Sequence, residues 1–310
     1  MRLIFCGTPQ FAVPSLETLL ARNFDIALVL TNPDEPQGRG YALKPPPVKD
    51  AALKAGLCVL QPAKLKGART EIESIKPDAI AVVAYGHLVP QWMIDLPPLG
   101  CINLHASLLP RYRGAAPIAW AILRGERVTG VTTMKIDAGL DTGDILLQKE
   151  IPIEDDDTTE TLSARLSAQG AGLMIETLEG LARGEIRSHP QDHAGATLAP
   201  MLKKEDGLID WSRPAMEVDC RARGLAPWPG AYTSFRGKGL KIWAARVADP
   251  LDAANSAPGF IKIAGGRLIV GCGAGTALEI IELQIEGRKR IHERDFINGM
   301  RPHDGEYLGK

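Results

Sequence analysis

A chain of 310 residues, 45% hydrophobic and 24% charged, has the composition of a soluble globular protein and the length for two domains, since single cores stop growing near about 250 residues. Its formal net charge of -1 excludes a protein that holds nucleic acid through overall basicity. No apolar run approaches the about 20 residues of a membrane-spanning helix, and Gly7, Thr8, Pro9 and Gln10 break the first run too early for a secretory signal, so a cytoplasmic location is expected.

The first half alternates short apolar runs with amphipathic stretches. Strands are predicted at "RLIFC" (2–6), "IALVL" (26–30), "CVLQP" (58–62), "DAIAVVA" (78–84) and "GCINLH" (100–105). Helices are predicted at "FAVPSLETLL" (11–20), "VKDAALKAG" (48–56), "ARTEIESIK" (68–76) and "APIAWAILRG" (116–125). Continuous apolar runs between helical segments describe a mostly parallel sheet buried on both faces, in a Rossmann-like α/β domain. Ligands in such sheets sit beyond the carboxyl ends of the strands. That directs attention to Gly7-Thr8-Pro9, Thr31-Asn32-Pro33, Tyr85-Gly86-His87 and the stretch Asn103 to Pro110. A dinucleotide site is not expected, because Pro9 and Ala12 stand where the G-x-G-x-x-G fingerprint needs glycine.

Farther along, "GVTTMKI" (130–136) reads as another strand, and the acidic run 154–157 reads as a helix start, with Asp157 as N-cap and Glu160 completing a capping box. The polar segment after Gly184 reads as a linker; His189 and His193 in it are not read as a metal pair, since Pro190 breaks the helix they would share. From Leu208 the pattern becomes short alternating strands broken by "RGKG", "AGG" and "GAG", as in a small antiparallel barrel. The five cysteines form no C-x-x-C pair and are read as buried thiols.

The most informative stretch is "GCINLHASLLPRYRGAAP" (100–117). Strand alternation puts Asn103 and His105 on one side, a stiff Leu-Leu-Pro follows, and Asp141 in "DAGLDTGDI" lies just past the next strand. An amide donor, an imidazole and a carboxylate to orient it are the parts needed to move a small acyl group onto an amine. Ser107 has no nucleophile elbow around it, so direct transfer is expected rather than a covalent acyl-enzyme. The Leu109-Pro110 bond, in a turn directly after a strand end, is expected to be cis.

Four segments, "FCGTPQFAVPSL", "VVAYGHLVP", "GCINLHASLLPRYRGAAP" and "DAGLDTGDI", resemble the methionyl-tRNA formyltransferase family, within the larger group that uses 10-formyltetrahydrofolate. "KKEDGLIDWSRPA" and "RGLAPWPGAY" extend the likeness into the C-terminal half. The resemblance implies a catalytic domain over residues 1–188, a linker over 189–207 and an OB-like antiparallel β-barrel over 208–310 that binds tRNA. It implies Asn103, His105 and Asp141 as the catalytic trio. The oxyanion of a tetrahedral intermediate would be stabilised by Asn103 and His105, with Asp141 orienting the histidine. Ser107, Leu108, Leu109 and Pro110 would border the folate, and backbone around Tyr85, Gly86, His87 and Asp137 would line the pterin pocket. The donor would be 10-formyltetrahydrofolate, with no metal, and the acceptor methionyl initiator tRNA, taken by a monomer.

The loop 32–50 would engage the acceptor stem through Arg39, Lys44 and Lys49, and Arg288, Lys289 and Arg290 would add contacts from the barrel. One departure from the family's pattern is Leu198 and Met201 in the linker, where Lys203 and Lys204 would serve instead. Two rivals stay open. One is a relative that formylates an amino sugar or hydrolyses formyl-folate with the same trio; the other is a non-catalytic RNA-binding protein built on the barrel.

Overall fold

The computed structural model describes residues 1–37, 42–252 and 257–309. The chain forms two compact units, the first from Met1–Pro117, Val128–Pro152 and Ser163–Ala199, the second from Ile118–Arg127, Ile153–Leu162 and Pro200–Lys310.

In chain order the elements up to residue 183 are β1 (Arg2–Gly7), α1 (Val13–Ala21), β2 (Asp25–Leu30), β3 (Glu35–Gln37), β4 (Ala42–Lys44), α2 (Pro47–Lys54), β5 (Val59–Leu60), α3 (Arg69–Ile75), β6 (Ala79–Val83), α4 (Gln91–Ile94), β7 (Cys101–His105), α5 (Pro117–Leu123), β8 (Val128–Lys135), β9 (Ile145–Pro152) and α6 (Thr159–Arg183). The large sheet of the first unit has the order β5-β2-β1-β6-β7-β8-β9. Its first five strands run parallel, while β8 and β9 are antiparallel additions at one edge. The predicted runs are apolar on both sides because both faces are covered: every residue of β6 is buried. One face packs Ile4, Leu28, Ile80 and Cys101 against Ile72 of α3 and Met93 of α4. On the other, α6 comes so near β7 that a Cβ on Gly170 would lie 2.6 Å from Leu104 Cδ2. Because β1 lies between β2 and β6, the strand order reverses at its carboxyl end, where a crevice opens in such sheets.

The loop 32–50 is not wholly irregular, since β3 and β4 pair in it with Glu35 opposite Lys44; Arg39 lies outside the described residues. Cys58 is exposed, which corrects the reading of all five cysteines as buried; it sits in the turn before the two-residue strand β5.

The second unit carries α7 (Ala215–Gly224), β10 (Ala231–Phe235), β11 (Lys238–Val247), β12 (Ile261–Ala264), β13 (Arg267–Gly271), β14 (Ala277–Ile285), β15 (Ile291–His292) and α8 (Glu293–Met300). Its strands form a six-stranded antiparallel sheet of order β10-β11-β14-β13-β12, with β15 on β14. Phe235, Ile242, Ile261, Val270 and Ile280, from five different strands, meet in one core with Val218 of α7 and Phe296 of α8, as in a small barrel. The hairpins turn on Arg236-Gly237 and Gly265-Gly266, all four with positive φ, the conformation that two-residue primed turns require.

Residues 118–127 and 153–162 join this unit because they pack with α7. Thr159 Oγ1 donates to Gly224 O at 2.6 Å, and Arg223 Nη1 donates to Asp157 O at 2.9 Å. The capping box of α6 stands one residue later than predicted: Thr158 Oγ1 accepts from Thr161 N at 3.2 Å and Thr161 Oγ1 accepts from Thr158 N at 3.0 Å. Asp157 is taken up earlier, its carboxylate accepting from Glu154 N at 2.8 Å. Residues 189–199, read as linker, belong instead to the first unit, where His189 bridges Ile145 and Leu198 bridges Arg113.

Candidate active site at the end of the fifth parallel strand

Strand β7 pairs with β6 through Val82 and Asn103, and with β8 through His105 and Thr132. Asn103 and His105 therefore share the face on which Cys101 packs. Burial pushes the Cys101 thiol up to about 12, which leaves it an inert core group. His105 is 6% exposed, and its Nε2 lies 2.9 Å from the Tyr112 carbonyl oxygen. A carbonyl only accepts, so Nε2 carries the hydrogen. The other nitrogen, Nδ1, faces Asp141 Oδ2 at 3.7 Å, an ion-pair distance beyond hydrogen-bond length. That same oxygen accepts from Gly114 N at 2.8 Å. The Asn103 carboxamide has no hydrogen-bond partner among the described residues.

Asp141 reaches this place by an indirect path. β8 ends beside Ile102, at the start of β7, so the loop that follows has to fold back along the strand to bring Asp141 to His105. Asp141 adopts a left-handed φ of 52°. The loop is tied internally by Asp137, whose Oδ1 accepts from Gly139 N at 3.0 Å and from Thr142 Oγ1 at 2.8 Å. Gly143 is required at its end, since a Cβ there would stand 1.9 Å from Lys135 O.

The Ser107-Leu108-Leu109-Pro110 turn is held from several sides. Thr132 Oγ1 donates to Ser107 O at 2.6 Å and accepts from Leu109 N at 3.2 Å. Gln148 Nε2 donates to Leu109 O at 2.8 Å and to Thr132 Oγ1 at 3.0 Å. Leu108 covers Gly130, and Leu109-Pro110 is cis, as expected. Ser107 is fully buried and its hydroxyl donates to Arg111 O at 2.6 Å, so it is not poised as a nucleophile.

Of the three residues after β6, Tyr85 turns its ring into the core, where burial raises its phenol above the usual range. Its carbonyl accepts from Thr8 Oγ1 at 3.0 Å. Gly86 has a φ of 85° and His87 is exposed, so this turn offers backbone and an imidazole at the carboxyl end of β6, the parallel neighbour of β7. Two residues that the sequence pattern does not single out are Arg113 and Gln191, 7% and 5% exposed. Gln191 Oε1 accepts from Arg113 Nη2 at 2.6 Å and Nε at 3.1 Å. Its Nε2 donates to Asp141 O at 2.9 Å and Gly143 O at 2.7 Å. Their separation of 78 positions leaves no local pattern to find them by.

The basic residues divide by availability. In the first unit Lys44 is exposed, whereas Lys49 Nζ is bound to Asp34 at 2.7 Å. In the second, Lys203, Lys204, Arg288 and Lys289 are exposed. Arg290 pairs with Glu282 and lies over the Trp243 ring. Leu198 and Met201 are exposed at 70% and 72%. Among the described residues no group of three or more His, Cys, Asp or Glu side chains is arranged to hold a metal ion.

Known proteins resemble this arrangement over the whole chain. Solved structures share the fold. An N-formyltransferase from Helicobacter canadensis in complex with folinic acid and dTDP-3-aminofucose aligns with a TM-score of 0.68 at 19% identity, covering 90% of this chain and 98% of that one. HypX from Aquifex aeolicus in complex with tetrahydrofolic acid aligns at 0.65 and 17%; the chain is covered to 99% and spans 48% of HypX. A methionyl-tRNA formyltransferase of Koribacter versatilis is 58% identical over 313 residues, which cover 100% of this chain and 99% of that protein. One of Acidobacterium capsulatum is 54% identical over 302 residues, 96% of each. The formyl transferase profile matches residues 1–178 and the formyl transferase C-terminal domain profile residues 201–301. Both units are thus accounted for by one lineage, and the chain belongs to the formyl transferase family.

Proposed function

We propose that this chain transfers the formyl group of 10-formyltetrahydrofolate to the α-amino group of methionyl initiator tRNA, giving the formylmethionyl-tRNA of translation initiation. Full-length relatives at 58% and 54% identity carry the name methionyl-tRNA formyltransferase. The observation that carries the chemistry is the unpartnered Asn103 carboxamide beside the His105 and Asp141 pair. The half-buried Asn103 amide at the strand end makes no hydrogen bond among the described residues, so it can donate to the oxygen of a carbonyl substrate.

When bound, the folate supplies the formyl carbon, attached to its N10. The methionyl amine attacks that carbon as a new C–N bond forms, and the carbonyl electrons move onto oxygen. Asn103 donates to that oxyanion. His105 adds its Nε2 hydrogen, which the Tyr112 carbonyl accepts in the structure, and Asp141 orients the ring from the Nδ1 side. As the C–N10 bond breaks, the proton lost by the attacking amine leaves on N10. Backbone of Ser107, Leu108, Leu109 and Pro110, with that of Tyr85, Gly86, His87 and Asp137, borders the folate. A pinned turn keeps this wall still, and a misplacement of about 1 Å can cost about 10²-fold in rate.

Arg39, Lys44 and Lys49, Lys203 and Lys204, and Arg288, Lys289 and Arg290 are the proposed tRNA contacts. Lys49 and Arg290 would have to exchange their carboxylate partners for phosphate. We read the first unit, which runs to Ala199, as the formyltransferase domain, residues 200–207 as its link and 208–310 as a tRNA-binding domain, in a cytoplasmic monomer without membrane association. No helix among the described residues is long and apolar enough to cross a membrane.

The test is an acceptor panel. The chain is incubated with 10-formyltetrahydrofolate and, separately, methionyl initiator tRNA, a nucleotide-linked amino sugar and buffer alone. Formylation of the tRNA alone is expected. Formyl sugar or free formate, with unmodified tRNA, overturns the proposal.

A further inference from the structure

We infer that Gln191, with Arg113, is a positioning residue that sets the Asp141 carboxylate against His105. The inference rests on the formyl-transfer reading of that pair. A carboxamide can make four hydrogen bonds, two as donor and two as acceptor. Gln191 makes all four while 5% exposed, to Asp141 O, Gly143 O, Arg113 Nε and Arg113 Nη2.

The two sides it joins are the two that touch the catalytic pair. On one side lie Tyr112, Arg113 and Gly114: the Tyr112 carbonyl accepts from His105 Nε2, and Gly114 N donates to Asp141 Oδ2. On the other lies the backbone of Asp141 itself, in its left-handed conformation, with Gly143 two residues on. No strand ladder links these two segments. The amide holds the returning loop at one distance from the segment that fixes the imidazole. Arg113 is seated in turn by its own backbone, N to Thr197 O at 2.8 Å and O from Ala199 N at 2.7 Å. Its Nη2 also donates to His193 Nδ1 at 3.1 Å. The segment 189–199 is therefore part of the catalytic unit.

The position decides which substitution is informative. Gln191→Glu keeps an acceptor for Arg113, now charge-assisted, but turns a carboxylate oxygen toward the Asp141 and Gly143 carbonyls, so only the loop side is released. Arg113→Lys weakens the other side, since one ammonium cannot reproduce the fork.

We expect Gln191→Glu to lower kcat for formyl transfer by about 10- to 10²-fold, the scale of an ångström-sized misplacement. Tetrahydrofolate affinity should stay within about 3-fold and the thermal midpoint near the parent's. Arg113→Lys should show the same split with a smaller loss. Unchanged kcat in a folded Gln191→Glu chain overturns the inference, as does a parallel fall of kcat, folate affinity and midpoint, the mark of a purely structural role. One measurement needs no variant: both Gln191 amide protons should exchange slowly in the unaltered chain and shift on adding tetrahydrofolate. Fast exchange, or no shift, also overturns it. An unaltered chain that formylates no tRNA counts against the function itself, whereas an active chain indifferent to Gln191→Glu counts against this inference alone.

Discussion

His105 and Asn103 differ in what they leave behind when removed. Asn103 makes no hydrogen bond among the described residues, whereas His105→Ala removes the bond from Nε2 to the Tyr112 carbonyl, a loss of about 1 kcal/mol. Both substitutions are expected to lower kcat by about 10² or more, the scale of one positioned donor. Only His105→Ala should also lower the thermal midpoint, and kinetics paired with calorimetry on the two variants check this. Ser107→Ala is expected to cost about 1 kcal/mol through the missing bond to Arg111 O. It should leave kcat within about 10-fold of the parent, since direct transfer asks for no serine nucleophile; a collapse of activity in a folded variant counts against direct transfer. The shared face of Asn103 and His105 was legible in the sequence from strand alternation, and the nearness of Asp141 from its place just past the next strand. Gln191 was not, because its partners are fixed by the fold alone.

The hairpin β3/β4 is anchored by side chains outside it. Lys49 Nζ and Gln61 Nε2 both donate to Asp34 at 2.7 Å, and Gln61 also donates to Asn32 O. The bonds from Gln61 first, and then Lys49, hold the Asp34 carboxyl below the usual carboxylate range. A depressed folded value means that the tie is present above the unfolded pKa of about 3.9 and is lost as pH falls through the folded value. Hydrogen exchange in β3 and β4 (Glu35–Gln37 and Ala42–Lys44) is therefore expected to speed up as pH is lowered below about 4, after intrinsic rates are corrected. In Lys49→Met and Gln61→Leu the exchange should be fast already at neutral pH. Equal protection in parent and variants contradicts the anchoring. The hairpins on Arg236-Gly237 and Gly265-Gly266 could be read from their dipeptides, because positive φ is a local demand. The docking of 189–199 could not, since its polar composition matches a linker while Gln191 and Ala199 are buried by contacts distant in the chain.

At the scale of the molecule, the two units interleave in sequence, with 118–127 and 153–162 grouped with Pro200–Lys310. Cutting the chain near Gly207 would strip those stretches of α7, so charge reversal is the cleaner probe of the second unit. Arg288→Glu with Lys289→Glu is expected to weaken methionyl-tRNA binding and to make its salt dependence shallower, by about 0.9 in log–log slope for each duplex phosphate no longer neutralised. kcat at saturating tRNA should stay near the parent's; an unchanged slope removes these residues from the proposed interface. Arg39→Ala should differ, lowering kcat as well as affinity if that side chain helps seat the acceptor end. The central claim is formyl transfer to a tRNA-borne amine, and the most direct measurement is a single turnover with 10-formyltetrahydrofolate isotopically labelled in the formyl carbon. With methionyl initiator tRNA and enzyme in excess, the label is expected on the methionine nitrogen with the parent chain and to be delayed by about 10² or more with Asn103→Ala. Label released as formate, or transferred equally fast by both chains, would contradict the account.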